Sequence, residues 1–402
     1  MRIATSMIHG SAANAILQAE ADLNKTQNQI SSGVKVSRPS DDPVAAVRIA
    51  SLQQQQQAND QYGKNISAAT NRLNLDEQGL SDATTLIQHV RDLVVQGANT
   101  GALSSSDRQS IVAGIKTSLQ ALIDVANRKD SNGDYLYSGY AVQTQPFSSN
   151  NSGVVQYAGD QSARLVQIGP SQRVLDGHSG FEAFMNITQG NGTFYTAANG
   201  TNTGSGAITV GTVTNSTAWV PDNYTLTFTS ATTYQITDSA TPTPNVVSTG
   251  NYTSGSAIAF NGVQVSVTGA PATNDSFSIN QSRKEDIFTT LNSVIAALGQ
   301  PGSNDSINAN IATVLGGSLQ QIDQAVDHLS VVRADVGARL NTLDTTESQR
   351  LDSDNNIAKS LSDLRDVDYA TALTKYNQQQ VILQAAQQSY AKIAQLSLFN
   401  YL

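Results

Sequence analysis

Residues 368–402 read DYATALTKYNQQQVILQAAQQSYAKIAQLSLFNYL, and their spacing governs how the rest of the chain is arranged. Tyr369, Tyr376, Leu383 and Tyr390 recur every seven residues, with Ala372, Gln379, Ala386 and Ile393 three places behind each. A helix with this a/d pattern lays its seam against another helix. Asp368 can cap its start, and neither Gly nor Pro interrupts it. Only Asp368, Lys375 and Lys392 are charged. A solvated helix carries charge on its outer face, whereas this one is Ala, Gln, Ser and Tyr all round. Such a surface suits several protein neighbours better than water. Helices inside one globular core are richer in Leu and Ile, so the stretch reads as an assembly helix.

A partner of similar length and low charge stands at the other end of the sequence. Residues 1–32 carry His9, Ile16, Leu23 and Ile30 seven apart, with Arg2, Glu20, Asp22 and Lys25 as the charges. Taken together, the expected assembly seam is Ile16, Leu23 and Ile30 on one helix and Tyr369, Tyr376, Leu383, Tyr390 and Ile393 on the other.

Between them the pattern repeats on a larger scale. Gly33 lets the chain leave helical geometry, and Asp42 followed by Pro43 is an N-cap and N1 pair that restarts it. From Pro43 to about Ala98 the seam Leu52, Asn59, Ile66, Leu73, Leu80, Ile87, Val94 holds its period, with Asn59 as its polar member. A helix from about Ser105 to Arg128 and a short one through Phe288 and Leu298 follow the same logic. Leu315, Ile322, Leu329, Val336, Leu343, Arg350, Ile357 and Leu364 then recur every seven residues. The two long helices would each run roughly 85 Å at 1.5 Å per residue. Equal length and equal period make them partners in an antiparallel coil.

The middle differs in kind. From about Gly190 to Asn280 the composition turns to Thr, Ser, Gly and Asn, and neither Lys nor Arg occurs between Arg173 and Arg283. Alternation at Tyr224, Leu226, Phe228, at Val263, Val265, Val267 and at Phe277, Ile279 marks half-buried antiparallel strands of a small sandwich or barrel. Tyr135 to Gly139, Val154–Tyr157, Leu165–Ile168 and Arg173–Leu175 are expected to be shorter pieces of β structure. The fold class is therefore α+β: an elongated antiparallel coiled-coil and helical-bundle rod made by both chain ends, with a Thr/Gly-rich all-β head inserted. Expected boundaries are 1–42 with 365–402 for the terminal helices, 43–140 with 284–364 for the bundle, and 141–283 for the head.

Composition narrows the chemistry. At 402 residues the chain has ample core, and its net charge of −9 argues against a nucleic-acid partner. It has no cysteine, so disulfides and thiolate chemistry are excluded. No apolar run reaches membrane-spanning length, and Met1 to Met7 lacks the apolar core of a secretory signal. Asp130, Asn132 and Asp134 match the start of a calcium loop, but Tyr135 and Ala141 stand where such a loop needs Gly and Glu, which leaves a turn. His178 and Ser179 lie between Gly177 and Gly180, yet Phe181 occupies the second glycine of a nucleophile elbow. No catalytic residue, cofactor or metal ligand is expected.

Ile30-Ser31-Ser32-Gly33 leading to Ser40-Asp41-Asp42-Pro43 resembles the segment after the first helix of bacterial flagellins. Asn71-Arg72-Leu73-Asn74, Val336-Gly337-Ala338-Arg339-Leu340 and Asp366-Val367-Asp368-Tyr369-Ala370 extend the resemblance over about 1–140 and 285–402. Within that superfamily, Tyr135 to Gly139 followed by Thr144-Gln145-Pro146-Phe147, the strand Pro271 to Ile279 and the ending Leu398 to Leu402 are similar to the hook-associated protein 3 family. Asn274 stands where that strand motif has Gly. The resemblance implies an extracellular adaptor at the hook–filament junction of the flagellum, exported through the flagellar type III apparatus without a cleavable signal. The partners it implies are further copies in a ring or helical layer, the first hook-associated protein on the hook side, flagellin or a hook-associated layer on the filament side, and an export chaperone. Filament flagellin, or a surface adhesin acting through the β head, are the alternatives.

Overall fold

The computed structural model describes residues 2–99, 103–150, 153–240 and 242–395, with the side chains of 2–6, 8 and 393–395 excepted. The described residues contain the α-helices α1 (Arg2–Ser32), α2 (Pro43–Gly97), α3 (Ser105–Ala126), α4 (Ile287–Leu298), α5 (Asp305–Arg365) and α6 (Tyr369–Gln395). The chain divides into two compact units, Met1–Lys64 with Thr345–Leu402, and Asn65–Asp344.

In the first unit α1 packs along α6. The links that follow α1 and precede α6 are paired with each other: Lys35 N donates to Arg365 O at 2.6 Å and Val367 N to Gly33 O at 3.0 Å. Gly33 makes this possible with φ +70, a conformation costly for a residue with a Cβ. The Ser-Asp-Asp-Pro turn is fixed by its two carboxylates. Asp41 accepts from the backbone of Ser37 and Arg38 and pairs with Lys25 at 3.0 Å. Asp42 Oδ1 accepts from Ala45 N at 2.9 Å, the N-cap expected before Pro43. Beyond it, Ile49 of α2 clusters with Ile357 and Leu361 of α5. Asn59 and Arg350, the polar members of the two long seams, meet as well: Asn59 Nδ2 donates to Arg350 O at 3.0 Å. Pairing 49 with 357 and 59 with 350 makes the two helices antiparallel here.

The second unit has two hydrophobic cores. Leu73, Leu80, Ile87 and Val94 of α2 and Leu315, Ile322, Leu329, Val336 and Leu343 of α5 lie in one core, all essentially buried. Arg91 with Asp323 at 2.6 Å and Glu77 with Arg333 at 2.6 Å flank it in antiparallel order. α3 begins at a capping box, Ser104 with Asp107, and packs on α4. The second core gathers Phe194, Tyr224, Leu226, Phe228, Val263, Val265, Val267, Phe277 and Ile279. Around it lie a five-stranded antiparallel sheet, including 194–198, 224–230 and 276–281, and a smaller sheet of which 257–260 and 263–268 form a hairpin.

This division differs from the expected 141–283 head. The hairpins 147–149 with 155–157 and 165–167 with 173–175, and the pair 187–188 with 284–285, belong to the core of the helices. Phe147 joins it through rings of Phe184 and Phe288, with centroids 5.8 and 5.2 Å away. Stretch 135–139 is also not a strand. Tyr135 makes an isolated bridge to Lys129 and the chain then turns, because Tyr137 and Ser138 are buried against the helices rather than alternating.

Candidate assembly surface

The α1–α6 seam is built as its period dictates. On α6, Ala372 is buried, and Tyr376, Gln379, Leu383, Ala386 and Tyr390 are half-buried. On α1, His9, Ile16, Leu23 and Ile30 are half-buried too, and Thr26 is buried. His9 and Tyr390 meet edge to face with centroids 6.1 Å apart. Tyr369, placed by its spacing in the seam, is 58% exposed, and only its hydroxyl reaches back toward Gly33. Ile393 lies on α6 with its side chain outside the described residues, as does the whole ending Leu398 to Leu402. Most seam residues therefore face a helix of their own chain.

The surface left over is unusually apolar. Met7 and Leu17 of α1 are 65% and 62% exposed; Leu373, Val381 and Ile382 of α6 are 54%, 64% and 51% exposed. Val44 and Val47, on the first turns of α2, are more than two-thirds exposed. Val381 is two residues from Leu383, roughly 200° of rotation, so it points away from the α1 seam. Isolated helices with this little charge and this much bare aliphatic surface are poorly suited to water. The expected seam has a period in the sequence, whereas Met7, Leu17, Val381 and Ile382 have none, and the scarcity of charge on both helices is the one sequence signal that bears on their outer face.

The charged groups present serve local structure. Lys25, the Arg38 backbone and Ser37 hold Asp41 down to about 2. Thr371 and backbone donors lower Asp368, the N-cap of α6, whose carboxylate accepts from Ala370 N and Thr371 Oγ1. Asp130 forms the expected turn, accepting from Asn132 N and Asp134 N, and its other oxygen receives Arg72. Among the described residues there is no acidic or histidine group arranged to hold a metal. Nor is any described helix long and apolar enough to cross a membrane.

The residues that carry the family resemblance have identifiable work. Arg72 is 6% exposed and donates to Asp130, Tyr135 O and Leu136 O, fixing the turn after α3. Arg339 donates to Gly177 O at 2.9 Å. Asp275 is buried and accepts from Thr203 N, Gly204 N and Ala272 N, closing the strand motif that starts at Pro271. Asn274 takes φ 72, the left-handed conformation that Asn tolerates better than other side chains, which is why it can replace Gly there.

The sequence matches the bacterial flagellin N-terminal helical region over residues 3–142 and the bacterial flagellin C-terminal helical region over 319–402. Residues 197–281, nearly coincident with the second core, match the D2-like domain of flagellar hook-associated protein 1. Flagellar hook-associated protein 3 of Escherichia coli K12 is 27% identical over 401 residues, covering 100% of this chain and 99% of the relative. The crystal structure of FlgL from Xanthomonas campestris is 33% identical, with a TM-score of 0.73 over 77% of this chain and 99% of that one. The flagellar junction protein FlgL from Legionella pneumophila is 35% identical, with a TM-score of 0.69 over 79% of this chain and 100% of that one.

Proposed function

The chain belongs to the hook-associated protein 3 (FlgL) family of the flagellin superfamily, and from that membership we propose that it is a structural adaptor joining hook to filament in the bacterial flagellum. The observation that carries this reading is similarity to hook-associated protein 3 from end to end, the β domain included. The D2-like match to a hook-associated protein at 197–281 points the same way. Immunolabelling of intact flagella tests it: one band at the distal end of the hook is expected, and label along the filament would overturn it.

The seam between α1 and α6 holds the two chain ends together, and the bare aliphatic face around Val381, Ile382 and Leu17 meets neighbouring subunits. Those neighbours are further copies in a ring or helical layer, the first hook-associated protein on one side, and flagellin on the other. Before assembly such a face needs cover, which a dedicated export chaperone would supply, and the chain would leave the cell through the flagellar type III apparatus. The work is mechanical joining rather than catalysis. Filament flagellin is the second reading, favoured by the flagellin matches at both ends. Purified chain that grows long filaments by itself would support flagellin against the junction role.

A further inference from the structure

His178 sits in the second unit on the short turn between Asp176 and Gly180, and it is 2% exposed. Its Nδ1 lies 2.8 Å from Asp76 Oδ2 of α2, and its Nε2 lies 3.1 Å from Asp335 Oδ2 of α5. A neutral imidazole has one N–H, so one of these contacts would set a nitrogen lone pair against a carboxylate oxygen. Only the imidazolium donates to both. From these contacts we propose that His178 is a structural proton site, and that its proton latches α2 to α5 through the 176–180 turn until rising pH removes it.

The groups around the ring fit that role. From α2 come Asp76, itself buried, and Arg72, whose Nε is 3.8 Å from Asp176. From α5 come Asp335 and Arg339, which pair with each other, and Arg339 also holds Gly177 O. Arg164 binds Asp176 at the start of the turn, and Tyr137 Oη donates to the Asp76 carbonyl at 3.3 Å. Burial of the ring pulls its pKa down, but the hydrogen bond and charge of Asp76, helped by Asp335 and opposed by Arg339, leave it above the ordinary 6.5. The stabilisation is therefore complete below the pKa of the unfolded ring and is lost as pH rises through the folded value.

The two ends of the latch are unequal. The side chain of Asp76 is 2% exposed and that of Asp335 is 48% exposed. The proton that leaves is the one on Nε2, passing to solvent past Asp335, while Nδ1–H stays on Asp76. Asp335 then faces a lone pair and can turn to water with Arg339. The latch opens at α5 and stays closed at α2.

Full-length chain carrying ¹⁵N-labelled histidine gives four pairs of ring nitrogen signals, one pair for each histidine of the sequence. We expect His178 to have both ring nitrogens protonated at pH 6 and to titrate above 6.5. Asp335→Asn replaces the exposed carboxylate with a neutral amide and should lower that pKa. It should also shrink the loss of thermal stability between pH 6 and pH 9, by up to tenfold in the folding equilibrium for each unit of pKa lost. His178→Gln should abolish the same pH dependence. If it does not fold, Asp335→Asn still decides, because its half-exposed side chain can be replaced without opening the core. A His178 ring that is neutral at pH 6, or whose pKa Asp335→Asn leaves unmoved, overturns the proposal.

Discussion

α2 and α6 carry heptads of the same period, yet their seams differ in how deeply they are buried. Leu73, Leu80 and Val94 of α2 are 0% exposed, while Tyr376, Leu383 and Tyr390 of α6 remain half-exposed. Hydrophobicity alone does not separate them, since a Leu at the same register position is fully covered in one helix and half covered in the other. The difference is the number of neighbours. The α2 seam shares its core with α3, α4, α5 and the segment 136–187, whereas α6 packs along α1. A heptad specifies that a helix will be covered along one stripe; it does not say how much cover its own chain supplies.

Ranked by effect on the free chain, the largest expected change is in the bundle. Leu80→Ala should cost about 2–5 kcal/mol, because a fully buried side chain is removed from a core that relaxes only in part. A thermal melt followed by circular dichroism measures it. A loss below about 1 kcal/mol would mean that the α2 seam is no better packed than that of α6, and the comparison would break.

Leu383→Asp comes next, at roughly 1–3 kcal/mol, since its site is half-buried against α1 and offers water at one edge. Lys375 and Lys392 are eight and nine residues away, roughly 12–14 Å along the axis, and cannot pair with the new carboxylate. The helical signal of the chain ends should fall while the 65–344 bundle melts normally. Cells should release the variant into the medium together with unpolymerised flagellin. Normal filaments in such cells would show that the α1–α6 pair is dispensable for joining.

What the sequence disclosed follows the same line. Caps, long seams and their antiparallel pairing were legible because Asp42-Pro43, Gly33 and the heptads are local or periodic signals. Strand alternation at 224–228 and 263–267 was legible for the same reason. Three-residue strands such as 173–175 have too little length for a period to reveal which core they join. Phe147 and Phe184 decided that question by packing with Phe288, more than a hundred residues away. Nothing near His178 in the sequence marks its role, because both its partners are distant: Asp76 and Asp335 meet it only after the helices pair.

Val381→Asp sharpens the comparison from the other side. The side chain is 64% exposed, so the free chain should melt within about 0.5 kcal/mol of the parent. In the assembly the same carboxylate would be buried without a partner and repeated at every subunit, and an unpaired buried charge costs several kcal/mol. Loss of joining with an unchanged melt is expected. Gln387→Asp, exposed and already polar, should be nearly silent and serves as the control. If Val381→Asp joins hook to filament normally, the outer face of α6 is not where neighbours meet.

Little effect on joining is expected from the largest change. Residues 194–281 have their own core, and the chain enters and leaves them through one antiparallel pair, in which Phe194 stands opposite Gln281. Just outside it, Ser282 N donates to Thr193 O at 2.9 Å, so the two cut ends already lie side by side. A short Gly/Ser linker spans that gap with little loop-closure cost. One hydrogen bond to α5 would go, Ile208 N to Thr313 Oγ1, while Gly190 N to the Gln321 side chain lies just outside the excision and stays. The lost bond is worth about 0.5–1.5 kcal/mol. The seams at 66–94 and 315–343 lie in the other core and should keep their melting temperature to within a few degrees. The terminal helices are untouched, so the shortened chain should still join hook to filament. A shortened chain that folds and fails to join would move the joining surface into the β domain, and the contrast between α2 and α6 would no longer explain assembly.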